Sequence, residues 1–163
     1  MKSLFVIRHA KSSWDIAALN DFDRILNERG QKDAPMMAKR LLQKKIVIDA
    51  FISSNAVRAF STAKLFAQEY GVIENTIITI PELYHASPFT FHKVVANIDN
   101  KYQSVAIFSH NPGITEFVNE LTTAKIDNMP TCGIFALKIN INHWNDFGSS
   151  KKEFLFFDYP KSV

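Results

Sequence analysis

Cysteine is almost absent from this chain of 163 residues, and its scarcity excludes two kinds of site. Cys132 is the single cysteine, so no disulfide can form within the chain and no zinc site can be built from four cysteines. Cys132 lies between Thr131 and Gly133 at the start of an apolar run. That setting predicts a buried, small hydrophobic residue rather than a reactive thiol.

Long hydrophobic runs and long runs of like charge are also missing. The apolar run at residues 4–7 ends at Arg8, which makes it too short for a signal peptide, and no stretch reaches membrane-spanning length. We therefore expect a cytoplasmic protein with no membrane partner. No lysine or arginine run is long enough to indicate a nucleic-acid partner. The net charge of +3 does favour an anionic substrate.

What the chain does contain is an alternation of short apolar runs with amphipathic stretches. Its length and its 47% apolar content suit one domain, residues 1–163, with a packed core. Strands are predicted at 4–7, 50–53, 76–80, 104–108, 133–141 and 153–159, and helices at 30–45, 55–70, 89–97 and 114–121. This order predicts an α/β three-layer sandwich whose central sheet is mostly parallel, with the last two strands as an antiparallel edge. The aromatic side chains of the last strand line either the core or an interface, and we expect the core: Phe154, Phe156, Phe157 and Tyr159.

Basic and histidine side chains follow several of the predicted strands. Arg8 and His9 come after the first strand, Arg58 lies one turn into the helix after the second, His85 follows the third and His110 the fourth. Ligands of such sheets bind outside the carboxyl ends of the strands. Each residue singly has an ordinary structural explanation, such as a turn at residues 109–113 for His110. Together they predict one cationic rim.

The chemistry that suits such a rim is phosphoryl transfer. Two arginines offer paired, planar donors to phosphate oxygens. A neutral histidine can attack phosphorus, a second and protonated histidine can donate to an equatorial oxygen, and an acid near the leaving group completes the set. Because the protein supplies the cations, we expect neither a metal nor another cofactor.

Several segments resemble the histidine phosphatase superfamily. Ile7-Arg8-His9-Ala10 is similar to its Arg-His-Gly signature, although Ala10 stands in place of glycine. Residues 53–63 and 108–113 resemble the stretches that carry its second arginine and second histidine. Residues 23–30 and 83–87 resemble the short, SixA-like phosphohistidine phosphatase branch. The resemblance implies a phosphoglycerate mutase-like fold.

By the same resemblance, His9 forms the phosphohistidine intermediate, and Arg8, Arg58 and His110 surround the phosphate. Ser12 and Asn111 are expected to contact the phosphate as well. Asp15 replaces an asparagine of the wider family. Because a carboxylate would repel phosphate, we expect Asp15 to face away or to pair with a cation.

The general acid is the larger departure from the family. Mutases and broad phosphatases have a glutamate after the third strand, whereas this chain has His85 in the best-matching position and Glu82 three residues earlier, out of register. Three alternatives stay open at this stage: His85 is the acid, no dedicated acid exists, or Glu82 is the acid. The first two carry more weight. A phosphoramidate leaving group that is already protonated needs less help, so a missing carboxylate favours phosphohistidine as the substrate.

The resemblance therefore implies a phosphatase. It would hydrolyse phosphohistidine on a protein, such as a histidine phosphotransfer domain, or a small phosphate ester. The alternatives are a phosphomutase and a catalytically idle module that binds phosphate or a phosphoprotein. The chain lacks the long insertions that cover the pocket of the mutases, so we expect a shallow, open site. A monomer or a weak homodimer is expected.

Overall fold

The computed structural model describes residues 1–15 and 20–162. Its strands are β1 (Lys2–Arg8), β2 (Ala50–Ser53), β3 (Ile78–Thr79), β4 (Ser104–Ser109), β5 (Ile134–Ile139) and β6 (Lys152–Asp158). Its α-helices are α1 (Glu28–Gln43), α2 (Val57–Glu69), α3 (Pro88–Ala96) and α4 (Gly113–Asn119). None of the helices in the described ranges is long and apolar enough to cross a membrane.

All six strands belong to one sheet, in the order β3-β2-β4-β1-β5-β6. The neighbours β3, β2, β4 and β1 run parallel to one another. Strand β5 is antiparallel to β1, and β6 is antiparallel to β5. The predicted α/β fold, with a mostly parallel sheet and an antiparallel edge, is confirmed.

The sheet separates two hydrophobic cores, which makes the molecule a three-layer sandwich. Successive residues of β1 alternate between the two faces: Leu4 and Val6 point to one core, and Phe5 and Ile7 to the other. Helices α3 and α4 cover the first face, and α1 and α2 cover the second. Because both faces of the central strands are covered, their side chains are almost all apolar.

Close backbone approaches join the loops of one sheet edge to the helices. A Cβ at Gly30, in the first turn of α1, would overlap the carbonyl oxygen of Lys11. A Cβ at Gly113, the first residue of α4, would overlap the carbonyl oxygen of Ala86. Glycine at these two positions lets the loop after β1 and the loop after β3 pack directly on helices.

The structure differs from the sequence prediction mainly at the third and sixth strands. The predicted strand at 76–80 is reduced to Ile78–Thr79, because 3-10 turns at Glu74–Thr76 and Pro81–Leu83 flank it. The expectation that the aromatic residues of the last strand lie in the core was wrong for Phe154, which is 39% exposed. Strand β6 is the edge strand of the sheet, and its consecutive residues Phe154 and Leu155 are both exposed.

Candidate active site

The carboxyl ends of β1, β2 and β4 lie side by side at one edge of the sheet. Arg8 at the end of β1 pairs in register with Ser109 at the end of β4, and Ser53 at the end of β2 pairs with Phe108. The residues that follow these strands are thereby brought together. His9, Arg58, His85 and His110 join Arg8 in lining one cavity of about 210 Å³. The convergence expected from the strand order is present in the structure.

His9 is buried, with 5% of its surface exposed. Its Nδ1 lies 2.7 Å from the carbonyl oxygen of Ala10, and because a carbonyl can only accept, Nδ1 carries the proton. Nε2 is then left with a lone pair. Burial lowers the pKa of His9 well below its usual value, and the nearby His110 and Arg58 lower it further, against the opposing effect of the Ala10 hydrogen bond. His9 is therefore a neutral imidazole in one tautomer at neutral pH.

Arg58 contacts His9 directly. Its Nε–H donates to Nε2 of His9 at 3.3 Å, and its two terminal nitrogens donate to the backbone oxygen of Asp21 at 2.6 Å and to Asp21 Oδ2 at 3.0 Å. Thr62 ties the two segments together, because its hydroxyl donates to the Arg58 carbonyl and accepts from the Ala10 N–H. Helix α2 thus holds the guanidinium against the histidine.

Arg8 and His110 each bring a buried nitrogen without a hydrogen-bond partner among the described residues: Arg8 Nε and His110 Nδ1. A terminal nitrogen of Arg8 donates to the carbonyl of Met129 at 2.8 Å, and His110 Nε2 lies 2.8 Å from Ser54 Oγ. Buried polar groups are normally paired. Arg8 Nε is a donor in every state, whereas His110 Nδ1 donates only in the tautomer in which Ser54 Oγ donates to Nε2. The unpaired Arg8 Nε therefore indicates that this cavity suits a ligand with hydrogen-bond acceptors.

His110 is a neutral imidazole at neutral pH. Burial, followed by the charge of Arg58, lowers the pKa of His110 to about 3. This lowered pKa differs from the sequence expectation, in which the second histidine is protonated. A bound phosphate dianion would favour the protonated form, because an adjacent opposite charge raises the pKa of a histidine.

Ser12 and Asn111, both expected to contact phosphate, also line the cavity. Ser12 Oγ accepts from a terminal nitrogen of Arg24 at 2.7 Å, so its own hydrogen remains available to a ligand. The Asn111 amide instead donates to Asn128 Oδ1 and to the Met129 carbonyl, both at 3.0 Å. Asn111 and Arg8 thus donate to the same carbonyl, that of Met129, and Asn111 helps to fix the loop that orients Arg8. Asp15 is exposed and does not belong to the lining, in keeping with the expectation that it faces away.

The two candidate acids occupy different places. His85 lines the cavity with its side chain 60% exposed, and its Nε2 lies 3.7 Å from Asp21 Oδ2. Glu82 lines a larger neighbouring cavity of about 780 Å³, which shares His85 as a wall. The geometry therefore places His85, and not Glu82, beside the cationic cluster.

Asp21, Arg24 and Tyr84 belong to this cluster, and the sequence analysis assigned none of them to the site. Asp21 Oδ2 accepts from the Tyr84 hydroxyl at 2.6 Å, and Oδ1 accepts from Arg24 Nε at 3.2 Å. The Arg24 guanidinium in turn stacks on the exposed Trp14 ring, 3.5 Å from its centroid. Asp21 and Arg24 lie on the loop between β1 and α1, not at a strand end, so the strand-end rule could not find them. The sequence signal that could have found them is the charged stretch at residues 21–24, which holds two aspartates and one arginine.

This arrangement suits a tetrahedral oxyanion. Four cationic side chains, Arg8, Lys11, Arg24 and Arg58, line the cavity together with a neutral histidine whose Nε2 is unprotonated. Preorganised donors of this kind stabilise negative charge as it develops. Within residues 1–15 and 20–162, no group of three or more histidine, cysteine, aspartate and glutamate side chains is arranged to hold a metal ion.

Comparison with known proteins agrees with this chemistry. The model of the histidine phosphatase superfamily (branch 1) matches residues 4–85. An uncharacterized chloroplastic protein of Arabidopsis thaliana is 31% identical over 153 residues, which are 89% of this chain and 70% of that protein. A candidate phosphohistidine phosphatase SixA of Agrobacterium tumefaciens superposes with a TM-score of 0.80 at 25% identity, covering 98% of both chains. A protein histidine phosphatase SixA complexed with tungstate gives 0.82 at 21% identity, covering 97% of both.

Proposed function

We propose that this chain, which belongs to the histidine phosphatase superfamily, hydrolyses phosphohistidine on proteins or a small phosphate ester through a phosphohistidine intermediate on His9. Family membership and the SixA-like fold support phosphatase activity. The choice of phosphohistidine and the role of each residue are our proposal. The observation that carries it is at His9, where the Ala10 carbonyl fixes the proton on Nδ1 and leaves Nε2 as a lone pair among arginines.

The reaction has two steps. His9 Nε2 attacks phosphorus, a bond forms between them, and the bond to the leaving atom breaks with its electron pair going to that atom. Arg8, Arg58 and His110 donate to the equatorial oxygens, where negative charge accumulates. Water then attacks the phosphorus, the bond to Nε2 breaks, and inorganic phosphate leaves a neutral His9. Both steps use Arg8 and Arg58, which the cavity already holds in place, and an alkyl leaving group needs a proton donor in addition.

Hydrolysis is favoured over the phosphomutase alternative by the exposure of the cavity mouth. Trp14 is 71% exposed, and the His85 side chain is 60% exposed. A mutase must keep water away from its phosphohistidine between half-reactions. An open mouth admits water to phospho-His9, and it also admits a histidine presented on the surface of another protein.

The test is phosphate release from 3-phosphohistidine and from p-nitrophenyl phosphate by wild type, H9A and H143A. His143 is an exposed histidine outside the cavity lining and serves as the matched control. We expect H9A to lose activity on both substrates and H143A to keep it. Samples of wild type quenched in alkaline detergent should carry phosphate on His9 that is stable in alkali and released by acid. If the wild-type protein binds phosphate but releases none from either substrate beyond what H9A releases, the idle binding module is favoured instead.

The acid is tested with H85A and E82A on two substrates. p-Nitrophenyl phosphate has a good leaving group that needs little protonation, whereas an alkyl phosphate needs it. If His85 is the acid, H85A should lose activity on the alkyl phosphate while keeping most activity on the aryl phosphate. E82A should behave like wild type on both, because Glu82 lies on the neighbouring cavity.

A further inference from the structure

Asp21 is the single carboxylate among the described residues that line the cavity. Its charge opposes the binding of any phosphoryl group, because like charges in a small cavity repel. An aspartate in an anion site therefore needs an interaction with the substrate that is more favourable than this repulsion is unfavourable. The chemistry proposed above uses Arg8, Arg58, His9 and His110, and in it Asp21 only orients Arg58.

The Asp21 carboxylate is held from three sides. Oδ2 accepts from a terminal nitrogen of Arg58 at 3.0 Å and from the Tyr84 hydroxyl at 2.6 Å, and Oδ1 accepts from Arg24 Nε at 3.2 Å. An ionised carboxylate has about four acceptor positions, so Oδ1 keeps capacity for one more donor. The group is thus fixed in place and still able to bind a ligand N–H.

Asp21 is also a permanent anion at neutral pH. Partial burial alone would raise its pKa, but the hydrogen bonds from Tyr84 and Arg58 and the charge of Arg58 overcome this effect and hold the pKa well below its usual value. A carboxylate that stays ionised cannot serve as the proton donor to a leaving group. Its chemistry in this cavity is limited to stabilising a positive charge or accepting a hydrogen bond.

The Asp21 side chain is more exposed than that of His9, as expected of a residue nearer the cavity mouth. His9 is 5% exposed, the Asp21 side chain is 39% exposed, and that of His85 beside it is 60% exposed. In-line attack by a buried His9 expels the leaving group in the opposite direction, toward the exposed mouth. The exposed Trp14 ring, stacked on Arg24, lines the same cavity as Asp21.

We propose that Asp21 determines leaving-group specificity by accepting the distal N–H of a phosphorylated imidazole, thereby favouring phosphohistidine over phosphate esters. This inference rests on the proposed function. Its reactive substrate is the N-phosphorylated imidazolium, whose distal nitrogen is protonated. As the bond from His9 Nε2 to phosphorus forms, the P–N bond breaks and its electron pair returns to the leaving nitrogen. The product imidazole is neutral and keeps the distal proton, so no separate acid is required.

The experiment compares kcat/KM on 3-phosphohistidine and on p-nitrophenyl phosphate for wild type, D21N and D23N. D21N keeps an oxygen for Tyr84 but loses the charge. Asp23 lies two residues away, outside the cavity lining, and is the matched control. The ratio of the two kcat/KM values, measured on one sample, does not depend on how much of that sample is folded. It therefore remains informative if D21N is less stable.

We expect D21N to lower the ratio of phosphohistidine to aryl phosphate activity about tenfold, the effect of one hydrogen bond to a charged group, and D23N to leave it unchanged. Equal losses on both substrates would overturn the inference and leave Asp21 as a support for Arg58 alone. If the wild-type protein does not hydrolyse phosphohistidine, or hydrolyses it no faster than H9A, the proposed substrate is overturned and this inference with it.

Discussion

The Nε–H of Arg58 points at Nε2 of His9 across 3.3 Å, while Asp21 holds both terminal nitrogens of the same guanidinium. A phosphorus atom bonded to Nε2 would carry its oxygens into the space where this N–H is aimed. Arg58 is thus oriented before any substrate arrives. Its side chain is 4% exposed, so little competing water surrounds it.

Replacing Arg58 should remove transition-state stabilisation. We expect R58A to lower kcat/KM by about 100-fold or more, the effect of losing one preorganised donor to a developing oxyanion. R58K should recover little, because lysine keeps the charge but lacks the planar fork that Asp21 and His9 engage. Steady-state kinetics on p-nitrophenyl phosphate measure this, with the exposed Arg29→Ala as control. Activity of R58A within threefold of wild type would contradict the assigned role.

Oxyanions should bind to the unpaired donors of the cavity. Tungstate or vanadate is expected to raise the melting temperature of wild type, because a ligand that binds only the folded state stabilises it. R8A removes the buried Arg8 Nε that has no protein partner and should lose most of this shift. Thermal scans with increasing tungstate test the prediction. An undiminished shift in R8A would place the anion elsewhere.

Stability should fall as the pH is lowered, in part through His110. Its folded-state pKa is lowered to about 3 by burial and by Arg58, whereas an unfolded histidine titrates near its ordinary value. The unfolded chain therefore binds more protons than the folded one between these pH values. The contribution of His110 is complete above about pH 6.5 and is lost as the pH falls toward 3, approaching about 1.4 kcal/mol per pH unit.

Urea unfolding between pH 7 and pH 4 measures this dependence. H110Q should flatten the slope of unfolding free energy against pH, because it removes one of the titrating groups. The control is His143→Gln, at an exposed histidine outside the cavity lining, and H110Q should flatten the slope more than this control does. A slope in H110Q equal to that of wild type would mean that His110 is not held neutral by the fold.

Gly113 should tolerate no side chain. A Cβ there would overlap the carbonyl oxygen of Ala86, so the loop that carries His85 would have to move away from α4. We expect G113A to lose about 1–3 kcal/mol of unfolding free energy, the usual effect of overpacking. G148A is the control, because a Cβ at Gly148 would meet nothing within 4 Å. Equal stability of the two variants would contradict the close approach.

Much of the site could be predicted from the sequence because it follows the strands. Arg8, His9 and His110 come directly after short apolar runs, and Arg58 follows another by one helical turn. Parallel strands bring their carboxyl ends to one edge, so the order of elements was enough to place these residues together. The sequence predicted the third strand too long, at 76–80, because proline and two 3-10 turns leave only Ile78–Thr79 paired.

Asp21, Arg24 and Tyr84 could not be predicted in the same way. They lie on loops, and no periodicity of the sequence states where a loop side chain points. Asp21 contacts Arg58 across 37 positions of the chain and Tyr84 across 63. Such contacts depend on how α2 and the loop after β3 pack against the sheet.

The sequence by itself determined the fold class, the family and the residues at the strand ends, because apolar periodicity and short motifs are local. Only the tertiary structure decided which tautomer His9 adopts, that His110 is neutral and that a carboxylate lines the cavity. These properties depend on burial and on the distance between groups far apart in the chain. Burial and long-range distance exist only once the chain has packed.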